Sequence, residues 1–165
     1  MPTKLKWTAR RMAPLLLALL CLPWPIYAED DEGERFASVP LLPLYKQECS
    51  ACHVAYPPGL LPAQSWRRLM SGLPRHFGTD ASLDATSVKQ ISDWLGKHAA
   101  LSAYGAWATP TEDRITRSAW FGRQHNEIPA RTWKLPAVKS AANCAACHTR
   151  ADQGDFNERY VRIPR

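Results

Sequence analysis

"CSACH", residues 49–53, has the spacing Cys-x-x-Cys-His, and the pattern returns as "CAACH" at residues 144–148. Two thiols so spaced with a histidine next to the second are the attachment pattern of a c-type haem. The sulfurs bond to the vinyl groups of the macrocycle, and the imidazole takes one axial position on the iron. On this reading Cys49, Cys52, Cys144 and Cys147 hold two covalently bound haem c groups, with His53 and His148 as the first axial ligands. Rival readings leave more unexplained. A thioredoxin-like thiol pair needs a βαβ context, and no segment has the period-two alternation of a strand. A zinc site built from both pairs would have to span the 91 residues between Cys52 and Cys144, far beyond ribbon spacing. A disulfide within each pair leaves both following histidines without a purpose.

Each iron needs a sixth ligand, and the candidates are few. Beyond residue 28 they are Met70, His76, His98 and His125. His76 lies 23 residues after His53, and His125 lies 23 residues before His148. Both stand near an expected helix end, among helix-breaking neighbours, where a side chain can be aimed at a flat cofactor. Met70 shares an apolar stripe with Trp66 and Leu73 and is expected in the core. His98 falls in the last turn of a helix, where a histidine can bond terminal carbonyls, and its role stays open. A helix expected over about 84–98 follows His76, which suits it to haem 1, and His125 then falls to haem 2, whose first ligand is His148. The reverse crossing is an alternative that spacing does not separate.

The start of the chain reads as a secretory signal over residues 1–28. Lys4, Lys6, Arg10 and Arg11 precede the short apolar run "MAPLLLALLCLPW", and "PIYA" offers a cleavage site near Ala28. The run is too short and too rich in proline for a membrane span. Cleavage would remove Cys21 and leave all four remaining cysteines inside the two motifs, as an oxidising compartment favours. It would also reset the charge. The chain has 21 Lys and Arg against 15 Asp and Glu, and four of the basic residues lie in the signal, leaving +2. Four ionised propionates on two haems would bring the holoprotein to about −2. The basic character of the whole chain is therefore no argument for nucleic acid. The expected location is the periplasm, where c-type haem is attached.

The remainder is loop-rich, with 14 prolines in the whole chain, and mostly α in its periodicity. "LLPLYKQECSACH" reads as a helix entering the first motif. Trp66, Leu69, Met70 and Leu73, then Ile91, Trp94, Leu95 and His98, mark two amphipathic helices. Thr109-Pro110-Thr111-Glu112 is a helix-start signal, predicting a helix from there to near His125. "LSAYGAWATP" reads as a linker, which divides the chain after the signal into a haem 1 domain over 29–105 and a haem 2 domain over 106–165. Trp66, Trp94, Trp107, Trp120 and Trp133 are expected to pack around the haems.

The stretches "CSACH", "WRRLMSGLPRHFGTDASLD", "ITRSAWFGRQHNEIP", "KSAANCAACH" and "YVRIP" resemble the dihaem cytochrome c family of bacterial periplasmic electron carriers. The resemblance covers most of the chain after the signal. It implies an N-terminal unit like class I cytochrome c and a small C-terminal haem-binding segment. It further implies two bis-histidine haems whose extra ligands fall on His76 and His125, and it assigns no role to His98. The partners it implies are a monohaem oxygen-binding cytochrome (the sphaeroides haem protein) and membrane cytochromes b. Bis-histidine ligation predicts low potentials, because the thioether that raises the potential of Met/His cytochromes is missing. The expected function is electron transfer between membrane and soluble redox partners, not enzymatic turnover. A dihaem peroxidase with a displaceable ligand, or an electron-input subunit of a periplasmic reductase, is the alternative.

Overall fold

Helix α1, Pro43–Cys49, starts on a proline, whose fixed φ suits the first helical turn and whose missing N–H is not needed there. It delivers Cys49 to the mouth of the first motif. The computed structural model describes residues 39–100 and 109–165. The expected signal peptide, the linker core, Trp107 and the expected domain boundary at 105/106 lie outside the described residues.

Helix α2, Ala63–Ser71, and helix α3, Ala85–His98, pack on each other, and α3 also packs on α1. The amphipathic spacing read from the sequence is the reason. Trp66, Met70 and Leu73 from one side meet Ile91 and Leu95 from the other, with Tyr45 of α1, in one buried cluster. Met70 is part of that cluster, which agrees with the expectation that it belongs to the core. Asp84 caps α3, its carboxylate accepting from the backbone N–H groups of Thr86 and Ser87 at 2.9 and 3.0 Å. Buried Trp66 is satisfied by donating its indole N–H to the Pro58 carbonyl at 2.7 Å.

The second half departs from the expected helix over 109–125. Residues Thr111–Asp113 and Ile115–Arg117 form single 3-10 turns, and only Ala119–Gln124, helix α4, is α-helical. Glu112 and Asp113 have positive φ, 59° and 54°, which an α-helix does not accommodate. Tertiary contacts override the local start signal. Asp113 is held by a two-pronged ion pair to Arg68 of α2, Nε to Oδ2 at 2.8 Å and Nη2 to Oδ1 at 2.5 Å. The Arg114 guanidinium lies over the Phe77 ring, 4.2 Å from its centre. The helix start therefore moves to Ser118, whose hydroxyl accepts from the Phe121 N–H at 3.0 Å.

Beyond α4 the chain continues as short 3-10 turns at Thr132–Lys134, Cys144–Ala146, Ala151–Gln153 and Glu158–Tyr160. The architecture is helical and loop-rich, with isolated bridges but no strand among the described residues. This C-terminal stretch folds back on the first half. Gly154 (φ 76°) turns the chain so closely over Leu41 that a Cβ at Gly154 would lie 3.4 Å from the leucine side chain. No helix among the described residues is long and apolar enough to cross a membrane.

Candidate functional site: two facing histidine pairs

His53 follows α1 and the first motif, and its Nδ1 sits 2.7 Å from the Val54 carbonyl. That bond makes Nδ1 the protonated nitrogen and leaves Nε2 with a free lone pair, the form that ligates metals. His76 is presented differently. It ends the 3-10 turn Leu73–Arg75 and opens a tight turn closed by the Thr79 N–H on the His76 carbonyl at 3.0 Å. Phe77 and Gly78 at the turn's centre both have positive φ, 50° and 98°, as primed turns require. This is the local cause of the "HFGT" stretch. The turn aims the His76 ring at His53, with ring centres 6.1 Å apart and planes 27° from parallel.

The second pair is built from other parts. His125 ends α4, and its Nδ1 is 3.0 Å from the Phe121 carbonyl one turn back. Its ring stacks on Phe121, with centres 4.0 Å apart, and Trp133 flanks it at 5.9 Å. His148 follows the second motif. Its backbone N–H bonds the Cys144 carbonyl at 2.8 Å, and it bridges to Val161 in the tail. Its ring faces His125 at 6.1 Å with the planes crossed at 67°, and Phe156 lies on its flank at 5.2 Å.

These distances fit a metal held between each pair. Two metal–nitrogen bonds of about 2 Å, plus the short reach from each ring centre to its own nitrogen, make about 6 Å. The buried Nδ1 atom of His76 has no hydrogen-bond partner, and that of His148 has at most a weak approach from the Phe156 backbone. Burial, and then the facing His53, pull the basicity of His76 down. Burial does the same to His125, partly opposed by the Phe121 carbonyl. Burial and the facing His125 do so for His148, with a weaker opposing contribution from the Phe156 backbone. The shifts favour the neutral imidazole, the ligating form.

None of the four motif cysteines is in a disulfide, so all four sulfurs are available for haem attachment. Before attachment, burial pushes the Cys49 and Cys144 thiols up to about 11. No cluster of three or more His, Cys, Asp or Glu side chains among the described residues forms a site for a bare metal ion. The cysteine pairs thus do not come together as a zinc ribbon would require. His98 lies apart from both pairs, with its Nδ1 2.9 Å from the Trp94 carbonyl and its ring against Trp94 at 5.2 Å. Sequence reasoning passed over Phe121, Tyr56 and Phe156. The available signals were an aromatic residue one helical turn before His125, and another three residues after His53.

Among curated proteins no sequence matches the chain. Three solved structures resemble it. A dihaem cytochrome c of Shewanella baltica OS155 is 40% identical with a TM-score of 0.65, the match covering 76% of this chain and 95% of that one. A dihaem cytochrome c of Rhodobacter sphaeroides is 48% identical with a TM-score of 0.62, covering 70% and 96%. A second structure from Rhodobacter sphaeroides is 47% identical, with a TM-score of 0.61, covering 72% and 99%. The family profile described as dihaem cytochrome c matches residues 45–156, a span that takes in both motifs and both facing histidine pairs. The chain belongs to the dihaem cytochrome c family, with two covalently bound haem c groups as its cofactors.

Proposed function

We propose that this protein is a periplasmic electron carrier whose two haems are each ligated by two histidines. Cys49 and Cys52 bind the first haem and Cys144 and Cys147 the second through thioether bonds. His53 and His76 fill the axial positions of the first iron, and His148 and His125 those of the second. The observation that carries this reading is the recurrence of one ring-to-ring distance, 6.1 Å, at both pairs.

Haem iron supplies a reversible one-electron couple, and what the chain adds is a rigid, saturated coordination shell. Four imidazoles, each fixed by turns, stacking or carbonyl bonds, need not move when charge changes, which keeps reorganisation small. The aromatic walls, Tyr56 at the first pair and Phe121, Trp133 and Phe156 at the second, limit water. With no thioether ligand both couples sit at low potential. Residues 109–165 hold ten Lys and Arg against six Asp and Glu, a surplus suited to brief docking on acidic redox proteins. The proposed partners are a monohaem oxygen-binding cytochrome and a membrane cytochrome b.

The test is the visible and EPR spectrum of the purified holoprotein, oxidised and reduced, with carbon monoxide and with peroxide. Two low-spin haems that bind neither support the carrier. A high-spin fraction or peroxide turnover transfers the assignment to a peroxidase-like enzyme.

A further inference from the structure

One aromatic side chain touches both halves of the haem machinery. The Tyr56 ring stacks on His53, with centres 4.8 Å apart and planes 15° from parallel. Its hydroxyl donates to the Ala142 carbonyl at 3.0 Å, across 86 residues of sequence. Ala142 stands two residues before Cys144, the first cysteine of the second motif. Tyr56 is clamped at its other end too, where its own carbonyl accepts the Tyr45 hydroxyl at 3.0 Å. The Cys144 thiol also points at the Ala142 carbonyl, at 3.8 Å, but a thioether has no proton to donate, so attachment of the second haem leaves that carbonyl to Tyr56.

We propose that Tyr56 is the link between the two haem sites: its ring fixes the His53 imidazole, and its hydroxyl bond to Ala142 carries electronic coupling to the second motif. The inference rests on the electron-carrier reading and adds a residue to it. Tunnelling is carried far better by covalent and hydrogen bonds than by gaps. The sequence ring of His53, ring of Tyr56, hydroxyl, Ala142 carbonyl, Cys144 contains one stacked contact and one hydrogen bond. The electron lost at one iron, going from iron(II) to iron(III), is gained at the other in the reverse change. Tyr56 keeps its proton and its electrons, so no outside oxidant enters.

The experiment compares the native holoprotein with Tyr56→Phe, which keeps the ring and removes the hydroxyl, and Tyr56→Leu, which removes both. Partly reduced protein is perturbed by a light-driven one-electron pulse, and the rate of equilibration between haems is read optically. EPR gives the g values of each haem, and pulsed EPR gives the iron–iron distance. The expected result for Tyr56→Phe is a severalfold slower equilibration at unchanged distance and unchanged g values. Tyr56→Leu should slow it further and shift the g values of the His53 haem alone. A native rate in Tyr56→Phe overturns the bridge, as does a slowing accompanied by a longer iron–iron distance. The native EPR spectrum reports on bis-histidine ligation independently, so failure of the carrier reading and failure of the link are told apart.

Discussion

The imidazole planes of His125 and His148 cross at 67°, whereas His53 and His76, at the same 6.1 Å separation, lie 27° from parallel. Axial ring orientation sets the splitting of the iron d orbitals. Near-parallel rings give a rhombic low-spin EPR signal with three resolved g values, and crossed rings give one dominated by a single large g value. The oxidised holoprotein should therefore show one signal of each kind in equal amounts. Two superimposed rhombic signals would contradict the crossed geometry at the second pair.

Ligand removal separates the two sites. His125→Ala should leave both haems attached and open one position on one iron, which then binds carbon monoxide when reduced. The rhombic signal of the other haem should persist. His76→Ala should do the converse, sparing the signal of the crossed pair. His98→Ala and Met70→Leu should open neither site, since His98 is bonded to Trp94 and Met70 lies in the core. Carbon monoxide titration of the reduced variants checks all four, and binding by the His98 variant would sink the ligand assignment.

The Arg68–Asp113 pair predicts a pH-dependent contribution to stability. Its hydrogen bonds to Arg68 hold the Asp113 carboxyl below the usual carboxylate range. A carboxylate with its pKa depressed on folding stabilises above its unfolded-state value, and that stabilisation is lost as pH falls through the lower folded-state value. Asp113→Asn should melt a few degrees below the native holoprotein at neutral pH. The gap should close on acidification. A gap that stays constant from neutral to strongly acidic pH would show that the charge is not what the site uses.

Core and surface isoleucines should differ sharply. Ile91 is fully buried between α2 and α3, and Ile163 is 47% exposed. Ile91→Ala should cost about 2–5 kcal/mol, and Ile163→Ala less than about 0.5 kcal/mol, as measured by denaturant midpoints with both haems attached. Neither should change the visible spectrum, because neither residue is a haem ligand in the proposed assignment.

How much of this was readable in the residues depends on where the cause lies. The α2–α3 core was legible because Trp66, Met70, Ile91 and Leu95 repeat at helical spacing, and burial enforces that spacing. The two motifs were legible because covalent attachment needs contiguous residues. The helix expected from Thr109 was not found, because Arg68 and Phe77 capture Asp113 and Arg114 from a distant part of the chain. Local signals cannot register a partner 45 residues away. Tyr56 was missed for the same reason, its defining bond being one to Ala142.

From Ile128 to the C-terminus the backbone has no α-helix, only single 3-10 turns. Such turns do not persist alone, and the second motif lies among them. The second haem is therefore expected to complete the fold of this segment: protein lacking it should be cut by protease within residues 128–165, and the holoprotein should resist.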